Sequence, residues 1–340
     1  MTRLGSTVRS LVCVALLCAG CTSASDESSP LASSEPATPA VADSTPVDTA
    51  PPGTTAPATA WEPTAVDESP QPQESAAVLD APAVAQDETQ SVTSVFPPLG
   101  DGTDVARWTV EIIEWFPHDP EAFTQGLEVA GGTMYESTGL WGESSLREVD
   151  PATGEVVARA GLADEFFGEG LTVVGDRILQ LTWQSGTAFV YDRSSLEVVG
   201  EHAYEGEGWG LCLSSDALIM SDGSDRLARR DPETFTLLGT VTVTASGYDG
   251  RLDYLNELEC VEGLVIANVW QTDHLLVIDP VSGRAVAAID AGPLVDDVSR
   301  NASGDMDVLN GVAFDPDSAT LWMTGKLWPR LYRVRIVEVR

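Results

Sequence analysis

Five short segments of this 340-residue chain, FTQGLEV, FGEGLTV, EGWGLCL, LNELECV and LNGVAF, share a polar or aromatic residue followed by apolar residues at alternate positions. Gln125, Glu169, Trp209, Asn256 and Asn310 stand near their heads. A second set, Trp141, Trp183, Asp222, Trp270 and Lys326, falls at or just beyond the end of the next apolar run in each case. The combined inventory is two carboxylates, an amine, amides and several indoles. A carboxylate can take a proton from one atom and return it to another. An amine and an amide can stabilise a developing oxyanion, and indoles can exclude water from both. Each group also has a plainer use, since indoles pack in cores and Glu169 with Lys326 can simply neutralise each other.

Other chemistries find less support. The three histidines, His118, His202 and His274, lack the spacing of a zinc motif. No G-x-S-x-G elbow, P-loop or dinucleotide fingerprint stands in a suitable strand-to-helix context. Asp296, Asp297 and the DMD stretch at 305–307 read as solvated acidic loop, with cation binding the less common alternative. A net charge of −35 without a basic stripe argues against nucleic acid as a partner.

The elements that position these side chains are strands. TVEIIEW, RILQLTW, AFVYD, LVIANVW and TLWMTG alternate between Gly, Pro, Asp and Ser turns, and helical periodicity is almost absent. The five segments begin at Phe123, Phe167, Glu207, Leu255 and Leu309, a spacing of roughly one propeller blade each. The predicted fold is therefore an all-β, five-bladed β-propeller over residues 105–340. Its last blade is short of a strand, which the N-terminal RWTVEIIEWF can supply. In each blade the start of the first strand and the end of the second meet on one face of the disk, so both sets of side chains should converge at one mouth of the channel. Cys212 and Cys260 lie one position apart on equivalent strands, which predicts opposite faces and free buried thiols.

Ahead of the propeller, residues 1–20 carry Arg3 and Arg9 and then LVCVALLCAG, a run of signal-peptide length. Small residues before Cys21 predict lipidation there, tethering an exported protein by its acyl chains alone. Residues 21–104 are rich in Asp, Glu and Pro, hold no Lys or Arg, and are expected to form a disordered linker. A monomer outside the cytoplasm is the expectation.

With these motifs in place, the chain resembles the glutaminyl-peptide cyclotransferases of plant and bacterial type. The resemblance runs from FPHDPEAFTQGLE through FFGEGLT, LTWQSGTAFVYD, GEGWGL, LNELE and ANVWQT to LNGVAFDP and TGKLWP. It implies a five-bladed propeller that converts the N-terminal glutamine of peptides or proteins to pyroglutamate with release of ammonia. It assigns Glu169, Lys326 and Asn256 to catalysis, and Phe123, Gln125, Phe167, Trp183, Trp209 and Trp270 to substrate contact. It implies no cofactor for catalysis and leaves a structural cation open. A non-catalytic propeller that binds peptides or glycans is the alternative, and a calcium-dependent lactonase-like propeller ranks third.

Overall fold

The computed structural model describes residues 94–99 and 104–339. The expected signal peptide, Cys21 and nearly all of the linker lie outside the described residues. β1 (Ala106–Pro117) is followed by four antiparallel meanders of four strands. The first is β2 (Thr124–Ala130), β3 (Thr133–Thr138), β4 (Ser145–Asp150) and β5 (Glu155–Gly161). The second is β6 (Gly168–Val174), β7 (Arg177–Thr182), β8 (Thr187–Asp192) and β9 (Val198–Ala203). The third is β10 (Leu211–Ser214), β11 (Ala217–Ser221), β12 (Arg226–Arg230) and β13 (Leu237–Thr242), and the fourth is β14 (Leu255–Val261), β15 (Leu264–Val269), β16 (His274–Ile278) and β17 (Ala285–Asp290). After helix α1 (Gly292–Asn301) come β18 (Leu309–Asp315), β19 (Thr320–Gly325) and β20 (Arg330–Glu338).

The last meander has three strands of its own, and β1 supplies the fourth by pairing antiparallel with β20, as expected. β1 also pairs in parallel with β17, which joins the last two meanders into one eight-stranded sheet. The first strands are neighbours in a circle: β2 beside β6, β6 beside β10, β10 beside β14, β14 beside β18, and β18 beside β2. This is a propeller-like order. Burial explains the residue patterns, since β6 (GEGLTVV) is buried at every position whereas β5 (EVVARAG) alternates half-buried with exposed residues.

Four hairpins between third and fourth strands share one device. Asp150, Asp192, Asp231 and Asp279 each accept a backbone N–H two residues on, at 2.8–3.0 Å. The residue four places after each aspartate has positive φ: Gly154, Leu196, Phe235 and Gly283. Glycine does this freely, whereas Leu196 and Phe235 are strained there by about 1 kcal/mol and are held by burial of their side chains. The first strands expose an inner edge, and glutamates cap it. Glu257 accepts from the backbone N–H of Leu127 (3.3 Å) and Val312 (2.9 Å), Glu128 from Val173 (2.9 Å) and Glu259 from Phe314 (3.2 Å). Burial raises the pKa of Glu128 to about 7 and that of Glu257 to about 8.

Three expectations need correction. Cys212 and Cys260 form a disulfide with a Cα–Cα distance of 5.4 Å and are not free thiols. Their opposite parity is the reason they meet, because successive meanders stack the front of one sheet on the back of the next. Cys212 shares its face with Ile219 in the core between the third and fourth meanders, and Cys260 reaches the same core from the other side. Second, packed structure begins ahead of Val105. Phe96 stacks on Trp108 with ring centroids 5.7 Å apart, and Glu262 accepts from the Val95 N–H at 2.9 Å. Third, α1 packs Leu294 and Val298 into the core, and its Asp297 accepts hydrogen bonds from Arg330 (2.5 Å) and Tyr332 (2.9 Å) rather than lying in free acidic loop. Among the described residues no helix is long and apolar enough to cross a membrane.

Candidate active site

The site originates in an irregularity of strand pairing. The ladders shift register between Thr124 and Gly126 in β2, Gly168 and Leu171 in β6, Leu255 and Leu258 in β14, and Leu309 and Val312 in β18. Each break brackets a residue of the first set, namely Gln125, Glu169, Asn256 or Asn310. A bulge frees a residue from the strict alternation of a strand and re-aims its side chain. Trp209 lies just before β10 and needs no break.

One pocket is lined by Phe123, Gln125, Phe167, Glu169, Trp183, Trp209, Asn256, Trp270, Asp307 and Lys326. It brings together all nine residues expected at the site. Three other side chains expected at the mouth do not line it. Trp141 is half exposed and touches the edge of Phe167 from outside, with centroids 5.6 Å apart. Asp222 is exposed and accepts from the Ser224 N–H at 3.0 Å. Asn310 lies fully buried and donates to the Thr124 carbonyl at 3.0 Å. Asp307 was missed as a lining residue, and its only sequence signal was its place in the DMD stretch.

Glu169 and Lys326 do not pair directly; Gln125 stands between them. Gln125 donates from Nε2 to Glu169 Oε1 at 3.0 Å and accepts from Lys326 Nζ at its own Oε1. The ammonium also sits 4.6 Å from the centre of the Phe123 ring, a cation–π contact. Glu169 is 5 % exposed and Lys326 3 %. Burial raises the Glu169 pKa well above the usual carboxylate range; Lys326 opposes the rise and Glu207 adds to it. Burial lowers the Lys326 pKa to about 8 against the pull of Glu169, Asp307 and Glu257. The two groups thus approach each other in proton affinity, as a site that moves protons near neutrality requires. Asn256 is 3 % exposed, and its Oδ1 has no hydrogen-bond partner among the described residues. A buried acceptor left open in a pocket can be satisfied by an N–H of a bound molecule.

The walls are aromatic. Phe167 meets Phe123 and Trp183 edge-on, with centroids 6.2 and 5.7 Å apart. On the other side Trp209 meets Trp270 edge-on at 5.5 Å, and Trp270 stacks on Tyr254 at 5.6 Å. Gly223, at φ +78°, makes room for Trp209, since a Cβ there would lie 2.6 Å from the indole Cζ2. Behind Lys326 a buried ionic cluster fixes the turn between β19 and β20. His118 Nδ1 donates to the Trp328 carbonyl at 2.7 Å, and its Nε2 lies 3.0 Å from Glu136 Oε1. Burial pushes the His118 pKa down, but the charge and hydrogen bond of Glu136 and the Trp328 carbonyl outweigh it, so the pKa is raised. Among the described residues no group of three or more His, Cys, Asp or Glu side chains is gathered to hold a metal ion.

A circle of meanders whose pocket gathers a buried acid, a buried amine and indole walls has the make-up of an enzyme active site. The family model described as glutamine cyclotransferase matches residues 78–336, and the chain belongs to that family. A curated relative, glutaminyl-peptide cyclotransferase of Arabidopsis thaliana, is 42 % identical over 231 residues, which is 67 % of this chain and 72 % of the relative. The crystal structure of Myxococcus xanthus glutaminyl cyclase matches with a TM-score of 0.64 at 37 % identity, covering 70 % of this chain and all of that one.

Proposed function

We propose that the chain is a glutaminyl-peptide cyclotransferase in which Glu169 shuttles the proton that cyclisation must move. The reaction joins the α-nitrogen of an N-terminal glutamine to the carbon of its own side-chain amide. The new N–C bond closes a five-membered ring, the old C–N bond breaks, and ammonia leaves. The nucleophile belongs to the substrate, so the protein has to fold the glutamine onto itself and carry one proton. Ionised Glu169 accepts it from the attacking amine and returns it to the departing nitrogen. Lys326 faces the oxyanion of the tetrahedral intermediate. Asn256 offers its amide to the same oxyanion and its open Oδ1 to a substrate N–H. Gln125 keeps Glu169 and Lys326 apart yet connected, and the aromatic walls exclude water.

The observation that carries this reading is the Glu169–Gln125–Lys326 chain at the base of an aromatic pocket. Its test is ammonia release from a Gln-initiated peptide. Wild-type protein should turn over, and Glu169→Gln should lose about 10²–10⁴-fold in kcat, the usual worth of a positioned general acid–base. Full turnover by that variant would remove the shuttle.

The circular order of first strands and the β1–β20 pairing support reading the fold as a closed five-bladed β-propeller. We also propose that residues 1–20 direct export and that acylation at Cys21 tethers a monomer outside the cytoplasm, by way of the acidic linker. Arg3, Arg9, the apolar run and the small residues before Cys21 support that address. The substrates are peptides or proteins with N-terminal glutamine.

A further inference from the structure

Glu207 has no role in the mechanism above, yet it holds the two sides of the pocket together. Its Oε2 accepts hydrogen bonds from the indole N–H of Trp183 at 2.8 Å and of Trp209 at 3.0 Å, while Oε1 accepts from Gln184 Nε2 at 2.9 Å. Trp183 follows β7 in the second meander and Trp209 precedes β10 in the third. Trp183 belongs to the aromatic row with Phe167 and Phe123; Trp209 belongs to the row with Trp270 and Tyr254. A single carboxylate oxygen therefore links the rows. Indoles have only one donor each, and a charged acceptor gives that donor its strongest neutral-donor bond.

We propose that Glu207 is a positioning residue of the cyclisation: its carboxylate sets the two indoles as one wall and places a fixed negative charge beside the path of the substrate's α-ammonium. This rests on the cyclotransferase reading. An N-terminal amine is largely protonated at neutral pH, its ordinary pKa being about 7.7–8.0, so it arrives as a cation and gives one proton to solvent before the neutral amine attacks and Glu169 carries the other. Burial works against ionisation of Glu207, but hydrogen bonds from Trp209, Gln184 and Trp183 outweigh it and hold its pKa below the usual carboxylate value. The charge is felt deeper in the pocket. Glu169 is faced by Lys326, by the Tyr204 hydroxyl and by Glu207, and Lys326 in turn by Asp307 and Glu257. Of these, Glu207 is the anion that raises the Glu169 pKa, so neutralising it lowers that pKa.

The test is Glu207→Gln, with Glu207→Asp beside it, followed by ammonia release from a Gln-initiated peptide across pH and by near-UV circular dichroism. The neutral isostere should raise KM about tenfold, the worth of a charged hydrogen-bonding group, with a smaller change in kcat. It should also move the acid limb of kcat/KM to lower pH and alter the indole dichroism. Glu207→Asp, which keeps the charge, should leave the acid limb close to its wild-type position. A folded Glu207→Gln protein with wild-type KM and an unmoved acid limb overturns the proposal. If that variant does not fold, Trp183→Phe, Trp209→Phe and their double variant decide: coupling through one oxygen makes the double effect on KM less than the product of the singles, and a clean product overturns it. Wild-type protein inert toward Gln peptides would defeat the cyclisation reading instead. In that event unchanged indole dichroism in Glu207→Gln would separately defeat the clamp.

Discussion

The Cys212–Cys260 bridge ties β10, which Trp209 immediately precedes, to β14, which carries Asn256 into the pocket, and its loss can be given a magnitude. The two cysteines are 48 residues apart. Closing a loop of that size removes chain entropy from the unfolded state equivalent to about 4 kcal/mol at 25 °C. At about 2.1 cal/mol/K per residue, the unfolding entropy of a domain of this size is on the order of 0.5 kcal/mol/K, so the melting temperature should fall by about 8 °C. Cys212→Ser, Cys260→Ser and the double variant should each show this same drop, because breaking the bond once removes the whole constraint. Thermal unfolding of the full chain with and without reductant measures it, and peptide mapping under non-reducing conditions identifies the linked pair. Melting that ignores reductant, with single-variant losses that add in the double, would show two independent thiols and refute the reasoning.

Other consequences can be checked separately. Because the raised pKa of Glu169 governs its ionised form and the pKa of Lys326 lies at about 8, kcat/KM should be bell-shaped, with an acid limb above the ordinary carboxylate range and an alkaline limb near pH 8. Lys326→Arg should move the alkaline limb to higher pH, whatever its cost in rate, since guanidinium does not titrate there. Gly223→Ala should displace Trp209 and lower kcat/KM by about tenfold, as expected for misplaced substrate-positioning groups, with steady-state kinetics as the measure. His118 has its folded pKa raised, so its pairing with Glu136 contributes stability below the unfolded His pKa and loses it as pH rises through the folded value. Melting temperature followed against pH should show that step in the wild type and lack it in His118→Gln.

Much of this was legible in the sequence. Repeated strand starts announced five equivalent units, and RWTVEIIEWF declared itself as the missing strand because the last unit had none to spare. Seven of the pocket residues could be located because each sits at one of two phases of the repeat, a first-strand start or a second-strand end, whereas Phe123 and Phe167 were implied by the family resemblance alone. Their contacts could not, because Gln125 mediating between Glu169 and Lys326 depends on side-chain reach across three meanders. Asp307 lies on a connection between units, where the repeat carries no phase, and Glu207 stands at the head of its segment where the first two units have Phe123 and Phe167, so the repeat gave no sign that a carboxylate there would bind the indoles. The disulfide failed for a sharper reason: strand parity fixes a face relative to its own sheet, and only the stacking of sheets tells which faces touch.

The bulges show how one unit completes another. A bulged residue gives up ladder partners, and at the narrow centre of the fold its carbonyl or amide would be costly to leave unpaired. The second strand of the preceding meander supplies the replacement. Ser137 of β3 donates to the Glu169 carbonyl, Ser221 of β11 donates to the Asn256 carbonyl at 2.7 Å, and Asn268 of β15 accepts from the Gly311 N–H at 3.2 Å. Buried Ser and Asn in the second strands, unremarkable singly, are thus what allows the neighbouring first strand to break register. The acid and the amide of the pocket are aimed by their neighbours, so the site requires the meanders to close in a circle and could not be assembled by any one of them alone.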